Sequence, residues 1–363
     1  MIPLNVPIEV DGRFEPFVVR LNADYGARDG AHDAFLADRS GHRSVYEMSD
    51  GAKLALFDLE PAATDGDVLL VVPEKSVAHR LIRAASTDNT LVFTERCDQR
   101  CIMCSQPPRP THHDVTAFLE EAIQLAPPSA TLGISGGEPT LYKAELFGLL
   151  QRTTAVRKDV TFHILTNGQH FDEGDLDALR SLPLGAVTWG IPVYSGDPTA
   201  HDAIVRKQGA FERLCSSFEV LCRAGAAVEL RTVLMASNAN RLADLAQFIS
   251  VKIPFAIRWA IMQLENIGFA EKRWSEIFVD TSTEFGRVGE AIDLVCAHGM
   301  QAFLYNFPLC TLPSAYRELA PPTISDWKRR HLPICNQCGA FQMCCGFFEW
   351  YPEGQGFSGV HPL

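Results

Sequence analysis

The feature that most constrains this chain is an alternation between residues 91 and 262. Short apolar or alternating runs at 91–94, 131–135, 161–166, 187–192, 228–235 and 256–262 read as strands. Between them, apolar residues recur at helical spacing at 115–125, 143–153, 175–180, 210–224 and 242–251. Strands joined by helices in this way pair in parallel, because each crossover helix returns the chain to the same end of the sheet. Six such strands fall short of a closed eight-fold barrel. The expected fold is therefore α/β, an open, partial (βα)6 TIM barrel over residues 89–277. In parallel α/β folds the chemistry gathers at the C-terminal strand ends, so the loops after each strand are where site residues should stand.

The flanks have a different texture. Residues 1–88 hold two strand-like runs, Phe17-Val18-Val19-Arg20-Leu21 and Val68-Leu69-Leu70-Val71-Val72, and then Val77, Leu81 and Ile82 at helical spacing within residues 74–85. They predict a small N-terminal α/β domain without a chemical motif. Residues 278–363 open with a helical pattern at 284–297 and a strand at 302–305, and then run through Pro308, Pro313, Pro321, Pro322 and Pro333. This stretch carries five of the chain's 11 cysteines. A loop-rich, cysteine-dense segment needs a staple, and where thiols stay reduced that staple is a metal. Residues Met1 to Pro7 have neither a basic nor a long apolar character, and no stretch reaches the roughly 18 apolar residues of a membrane span. The expectation is a cytoplasmic protein with no membrane partner. A net charge of −12 argues against nucleic acid as a partner.

Cys97, Cys101 and Cys104 follow the first strand with the spacing C-x3-C-x2-C. Three thiolates on one loop can hold three irons of a [4Fe–4S] cluster and leave the fourth iron open to a small molecule. Zinc prefers four ligands, commonly in paired C-x2-C knuckles. After the second strand comes Ser135-Gly136-Gly137-Glu138-Pro139, where paired glycines permit close backbone approach and Glu138 could take an ammonium group. The third strand ends in Thr166-Asn167-Gly168.

Together these residues resemble the radical S-adenosylmethionine (radical SAM) superfamily over about residues 91–262. The resemblance implies that Cys97, Cys101 and Cys104 bind a [4Fe–4S] cluster and that S-adenosylmethionine (SAM) chelates its open iron. An external one-electron reductant then drives cleavage to a 5′-deoxyadenosyl radical. By the same resemblance Met103 lies against adenine, Gly136, Gly137 and Glu138 take the SAM amino group, and Asn167 stands near the ribose. Ser195, past the fourth strand, and Arg231, on the fifth, match positions that hold ribose and carboxylate. A turn serine and a salt-bridged strand arginine are the plainer readings of these two.

In the tail, Cys335, Cys338 and Cys344 form C-x2-C-x5-C, and Cys310 lies upstream. By residue chemistry alone zinc and iron–sulfur both fit. The resemblance extends to the C-terminal SPASM or twitch-like domains of peptide-acting radical SAM enzymes, which implies an auxiliary [4Fe–4S] cluster on these four, with Cys344 favoured over Cys345 by the family spacing. Cys215, Cys222 and Cys296 read as buried small hydrophobes. His112 and His113 read as a solvated pair, and His163 as a satisfied core histidine.

Further strings narrow the likeness. They include Met103-Cys104-Ser105-Gln106-Pro107-Pro108, Gly190-Ile191-Pro192-Val193-Tyr194-Ser195, Asn306-Phe307-Pro308-Leu309-Cys310 and Ile324-Ser325-Asp326-Trp327-Lys328. They resemble the His-Xaa-Ser system radical SAM maturases, C-type member. That implies a ribosomally made precursor peptide with His-Xaa-Ser motifs, a partner radical SAM protein, and radical modification of side chains, including cross-linking. Glu265 and Tyr194, at strand ends, are candidate proton acceptors. The competing readings are a radical SAM enzyme for a small molecule and a non-catalytic iron–sulfur partner that recruits peptide to another maturase.

Overall fold

The computed structural model describes residues 3–24 and 30–363. The N-terminal segment is a closed, seven-stranded barrel: β1 (Asn5–Asp11), β2 (Phe17–Asn22), β3 (Asp33–Ser40), β4 (Arg43–Met48), β5 (Lys53–Phe57), β6 (Val68–Val72) and β7 (Val77–Ile82). Its pairings are antiparallel except β2 with β3. This corrects the expected α/β domain. The helix anticipated at 74–85 is a single 3-10 turn, Pro73–Lys75, followed by β7. In β7 the buried side chains are Ala78, Arg80 and Ile82. Arg80 is buried against Asp67, its Nε donating at 2.9 Å, so a charged residue sits where an apolar one would have marked the alternation. Val6, Leu21, Tyr46, Leu54, Leu69 and Val71 fill the interior, while Val18, Val68 and Ile82 join the core of the next domain.

That domain is a partial TIM barrel. Its parallel sheet contains seven strands: β8 (Asn89–Thr94), β9 (Thr131–Gly136), β10 (Thr161–Leu165), β11 (Val187–Pro192), β12 (Ala227–Val233), β13 (Arg258–Met262) and β14 (Gln301–Tyr305). The connecting helices are α1 (Thr116–Leu125), α2 (Lys143–Val156), α3 (Leu176–Ser181), α4 (Pro198–Val205), α5 (Ala210–Ala224), α6 (Ala236–Ala239), α7 (Leu242–Lys252), α8 (Trp274–Ile277) and α9 (Gly286–Ala297). The strand expected in the tail is therefore the seventh of this sheet, parallel to β13. α4 was absent from the sequence reading, although Asp197 caps its N-terminus and Pro198 occupies its first turn.

The two faces of the sheet are chemically distinct. Leu132, Ile134, Phe162, Ile164, Trp189, Ile191, Val228, Leu230, Trp259 and Ile261 pack with the helices in one core. The alternate residues, among them His163, Gly190, Glu229, Arg231, Arg258 and Tyr305, line the inside of the barrel. Fully burying one large aliphatic side chain is worth about 1.5–3 kcal/mol, so the helix-facing layer fixes the register of every strand. The inner face is thereby left free for polar groups.

The tail after β14 consists of 3-10 turns and a two-residue hairpin, β15 (Arg329–Arg330) with β16 (Phe347–Phe348). It is tied back in two places. Arg83 grips Asp326 through two parallel hydrogen bonds of 2.5 and 2.9 Å, and Lys328 stands 3.4 Å from Glu265. Among the described residues, no helix is long and apolar enough to cross a membrane.

Candidate functional site

The loop after β8 carries Cys97, Cys101 and Cys104, and three neighbours hold its backbone. On one side the Gly-Gly-Glu turn after β9 is sewn to it main chain to main chain: Gly137 N donates to Thr94 O and Glu138 N to Arg96 O, both at 2.7 Å. The glycines are required by this approach. A Cβ on Gly136 would lie 2.0 Å from Thr94 O, and one on Gly137 2.0 Å from Arg96 O. On the second side, Arg100 N donates to Val205 O and Ile102 N to Ile204 O, so α4 braces the loop. On the third, Phe269 N donates to Cys104 O at 2.9 Å, and Gly268, at φ +65°, has no room for a side chain against the same carbonyl.

Glu138 does not face outward. It is fully buried, and its carboxylate accepts from Thr140 N (2.8 Å), Thr140 Oγ1, Thr166 Oγ1 (2.6 Å) and Asn167 N. Burial pushes this carboxyl up while the four donors oppose the shift. The side chain clamps the loop after β9 to the loop after β10. The groups of this turn available to a ligand are backbone.

The thiols are free and partly buried. Burial pushes Cys97 up to about 12, and Cys101 and Cys104 also rise; ionisation of Cys97 is further opposed by Glu138, Asp98 and Cys104, and that of Cys101 by Cys104 and Cys97. Such a set ionises when a positive group neutralises it. Among the described residues, no three His, Cys, Asp or Glu side chains converge on a single metal ion. An iron–sulfur cluster, which gives each thiolate its own iron, does not require that convergence.

Asp98, within the cysteine loop, was not anticipated. Its carboxylate meets Asn167 Nδ2 at 2.8 Å, His170 Nε2 at 3.0 Å, and Lys207 Nζ. Burial alone would raise this carboxyl, but His170 and Lys207 hold it well below the usual carboxylate range. A lone aspartate between metal-spaced cysteines has no pattern of its own, so the sequence offered no signal for it.

The remaining candidates are distributed around this rim. Met103 is buried in an apolar cluster with Ile102, Tyr194, Ile204, Val205 and Met235. Tyr194 lies in the same cluster, where burial pushes its phenol well above its ordinary value, so at neutral pH it holds its proton. Ser195 Oγ accepts from Asp197 N at 3.0 Å, a serine turn. Arg231 touches Glu229 at 3.3 Å and otherwise directs Nε and Nη2 only at the sulfur of Met262, a weak acceptor. Glu265, raised by burial and lowered by Lys328, stands in the loop after β13 three residues before Gly268.

In the tail, Cys310, Cys335, Cys338 and Cys344 lie on three adjacent turns. Cys344 Sγ receives the N–H groups of Leu309 and Gly346, both at 3.4 Å, and Cys338 Sγ receives Leu363 N at 3.3 Å. A hydrogen bond from Cys345, together with those amides, brings Cys344 down to about 6 despite its burial. Cys345 is buried against Ile324 and Phe348, and burial keeps its thiol well above the ordinary value.

Residues 91–249 match the family model of the radical SAM superfamily. This stretch is a radical SAM domain. It spans β8 to α7 and includes the cysteine loop, the Gly-Gly-Glu turn and Arg231. No curated protein matches the chain. Among solved structures, SuiB of Streptococcus suis bound to S-adenosylmethionine is similar at 14% identity and a TM-score of 0.49, over 61% of this chain and 51% of that one. The chain thus spans about half of SuiB's length. The structure titled native anSMEcpe with bound AdoMet and Cp18Cys peptide is similar at 14% identity and a TM-score of 0.44, over 59% of this chain and 62% of that one. A radical SAM methyltransferase from Sphaerobacter thermophilus is similar at 12% identity and a TM-score of 0.44, over 72% of each chain.

Proposed function

We propose that the chain is a radical SAM peptide maturase. The observation that carries this reading is the cysteine loop itself: three free thiols at the C-terminal end of β8, pinned main chain to main chain to the Gly-Gly-Glu turn. In this reading Cys97, Cys101 and Cys104 hold a [4Fe–4S] cluster, and its open iron takes SAM. The donor set fits, because three thiols on one loop need a cationic partner and leave one of four irons without a protein ligand. When bound and given one electron from an external reductant, SAM supplies a 5′-deoxyadenosyl radical that removes a hydrogen atom from the substrate.

The chain's own residues prepare the place. Gly136 and Gly137 bring backbone within reach of a ligand's ammonium group, and Glu138 locks that backbone without touching the ligand. Arg231, whose Nε and Nη2 face a thioether while Nη1 lies against Glu229, keeps two donors for a carboxylate. Met103 offers an apolar wall, and Asn167 and Ser195 border it. Cys310, Cys335, Cys338 and Cys344 would hold an auxiliary [4Fe–4S] cluster, in which N–H···S bonds from Leu309, Gly346 and Leu363 stabilise thiolate charge. Zinc on the same four is the competing occupant.

The substrate in this reading is a ribosomally made peptide with His-Xaa-Ser motifs, modified by cross-linking of side chains, with a second radical SAM protein as partner. The polar, partly open barrel interior around His163 and Arg231 favours catalysis here over a purely recruiting role. Mass spectrometry of a co-expressed precursor peptide tests the reading. Loss of two hydrogens supports it. A peptide of unchanged mass, from protein that still cleaves SAM, moves the assignment to another substrate.

A further inference from the structure

His163 sits on the inner face of β10, with its side chain 25% exposed. Glu229, on β12, is fully buried, and β11 lies between them. The two nevertheless meet: His163 Nε2 and Glu229 Oε1 are 3.3 Å apart. They meet because β11 has no side chain at that point. A Cβ on Gly190 would stand 2.8 Å from His163 Nε2 and 3.3 Å from Arg231 Cδ. Gly190 is thus a window through which an imidazole reaches across a strand.

The contact also fixes the tautomer. Both atoms are buried and make no well-aligned hydrogen bond, and Arg231 Nη1 lies 3.3 Å from the same carboxylate oxygen. At 3.3 Å an imidazole lone pair turned toward an ionised carboxylate oxygen would be repelled, whereas an N–H is attracted. Nε2 therefore carries the proton and presents it to Glu229, which leaves Nδ1 as the ring's lone pair. Glu229 is suited to this. Burial alone would raise its carboxyl, but His163, Arg231 and Arg258 hold it down to about 2. Arg258 Nε donates to it at 2.6 Å, and the Tyr305 hydroxyl at 3.3 Å. A carboxylate that fixes an imidazole tautomer and leaves the other nitrogen free is the arrangement of a general base.

We propose that His163 is the catalytic base of the barrel interior, oriented by Glu229 through the Gly190 window. It takes the proton from the peptide side-chain N–H or O–H whose heavy atom enters the new bond. The N–H or O–H bond breaks and an Nδ1–H bond forms; the electron pair left on the substrate atom joins the carbon radical made by hydrogen abstraction, and the one electron in excess passes to an external one-electron acceptor. The proposal rests on the peptide-maturase reading for its substrate.

Two measurements on the reconstituted protein test it. With 15N-labelled histidine, the His163 resonances, identified by their loss in His163→Gln, should show the Nε2–H tautomer. Gly190→Ala, which pushes the imidazole off Glu229, should abolish that signature. An Nδ1–H tautomer in the unmodified protein overturns the proposal. Next, with a synthetic peptide carrying two His-Xaa-Ser motifs, His163→Gln should lower the yield of cross-linked peptide per 5′-deoxyadenosine by roughly 100-fold or more. A ratio equal to that of the unmodified enzyme overturns it as well. If the unmodified enzyme leaves that peptide unchanged, the substrate reading fails, and the tautomer measurement still decides for or against the dyad.

Discussion

Replacing Glu138 by glutamine separates two accounts of the Gly-Gly-Glu turn. If the carboxylate bound the SAM ammonium group, Glu138→Gln would weaken SAM binding and leave the fold alone. In the structure the carboxylate meets four donors and no solvent. Glutamine offers one acceptor oxygen and one NH2. If the oxygen stays with Thr140 and Thr166, the NH2 is turned toward the Asn167 N–H, which is also a donor. One hydrogen bond to a charged acceptor is lost, at about 1.5–3 kcal/mol, and buried donors are left unpaired, at about 1–3 kcal/mol. The sum is about 2.5–6 kcal/mol of destabilisation, concentrated where the loops after β9 and β10 meet. The assay is urea unfolding of the cluster-free protein beside calorimetric SAM affinity of the reconstituted one. The expected result is a lower unfolding midpoint at unchanged slope, with faster hydrogen exchange at Thr140 and Asn167. A stability change below about 1 kcal/mol together with lost SAM affinity would refute the reasoning and return the carboxylate to the ligand.

Three further outcomes are expected. Gly268→Ala forces a Cβ to within 2.4 Å of Cys104 O, so it should lower iron incorporation at the first cluster while the tail's iron stays; equal iron per chain would contradict this. Glu229, depressed to about 2, contributes stability that is present above its ordinary value near 4.5 and is lost as pH falls through 2. That contribution is about 3 kcal/mol at neutral pH. The stability gap between the unmodified protein and Glu229→Gln should therefore shrink by more than half from pH 6 to pH 3, whereas a constant gap would remove the ion-pair account. Asp326→Asn breaks the two-pronged grip of Arg83 and should speed hydrogen exchange across residues 323–330, with exchange in β8 to β13 unaffected.

The barrel was legible because its helix-facing residues alternate or recur cleanly, from Leu132 and Ile134 to Trp259 and Ile261. The cysteine spacings were equally plain. What escaped was whatever depends on the partner a residue finds in space. Arg80 is buried on Asp67, and the strand it belongs to read as a helix. Glu138 looked like a ligand carboxylate, but Thr140, Thr166 and Asn167 consume it. His163 looked like a core residue, because the gap at Gly190 that joins it to Glu229 exists only once β10, β11 and β12 lie side by side. Asp98 and α4 were missed for a related reason, since each acts by bracing a loop whose course the sequence does not print. The strand at Gln301–Tyr305 was seen, but its place in the sheet was not, because an edge strand pairs with a neighbour that the local pattern does not name.

The most direct measurement is the fate of SAM itself. Protein reconstituted anaerobically with iron and sulfide, and then reduced, should hold roughly eight irons per chain, four for each cluster. It should convert SAM to 5′-deoxyadenosine. The Cys97, Cys101 and Cys104 to alanine variant should lose about four of those irons and all 5′-deoxyadenosine. If the unmodified protein, fully loaded with iron and reduced, released no 5′-deoxyadenosine with or without peptide, the assignment of a catalytic cluster to the loop after β8 would be contradicted.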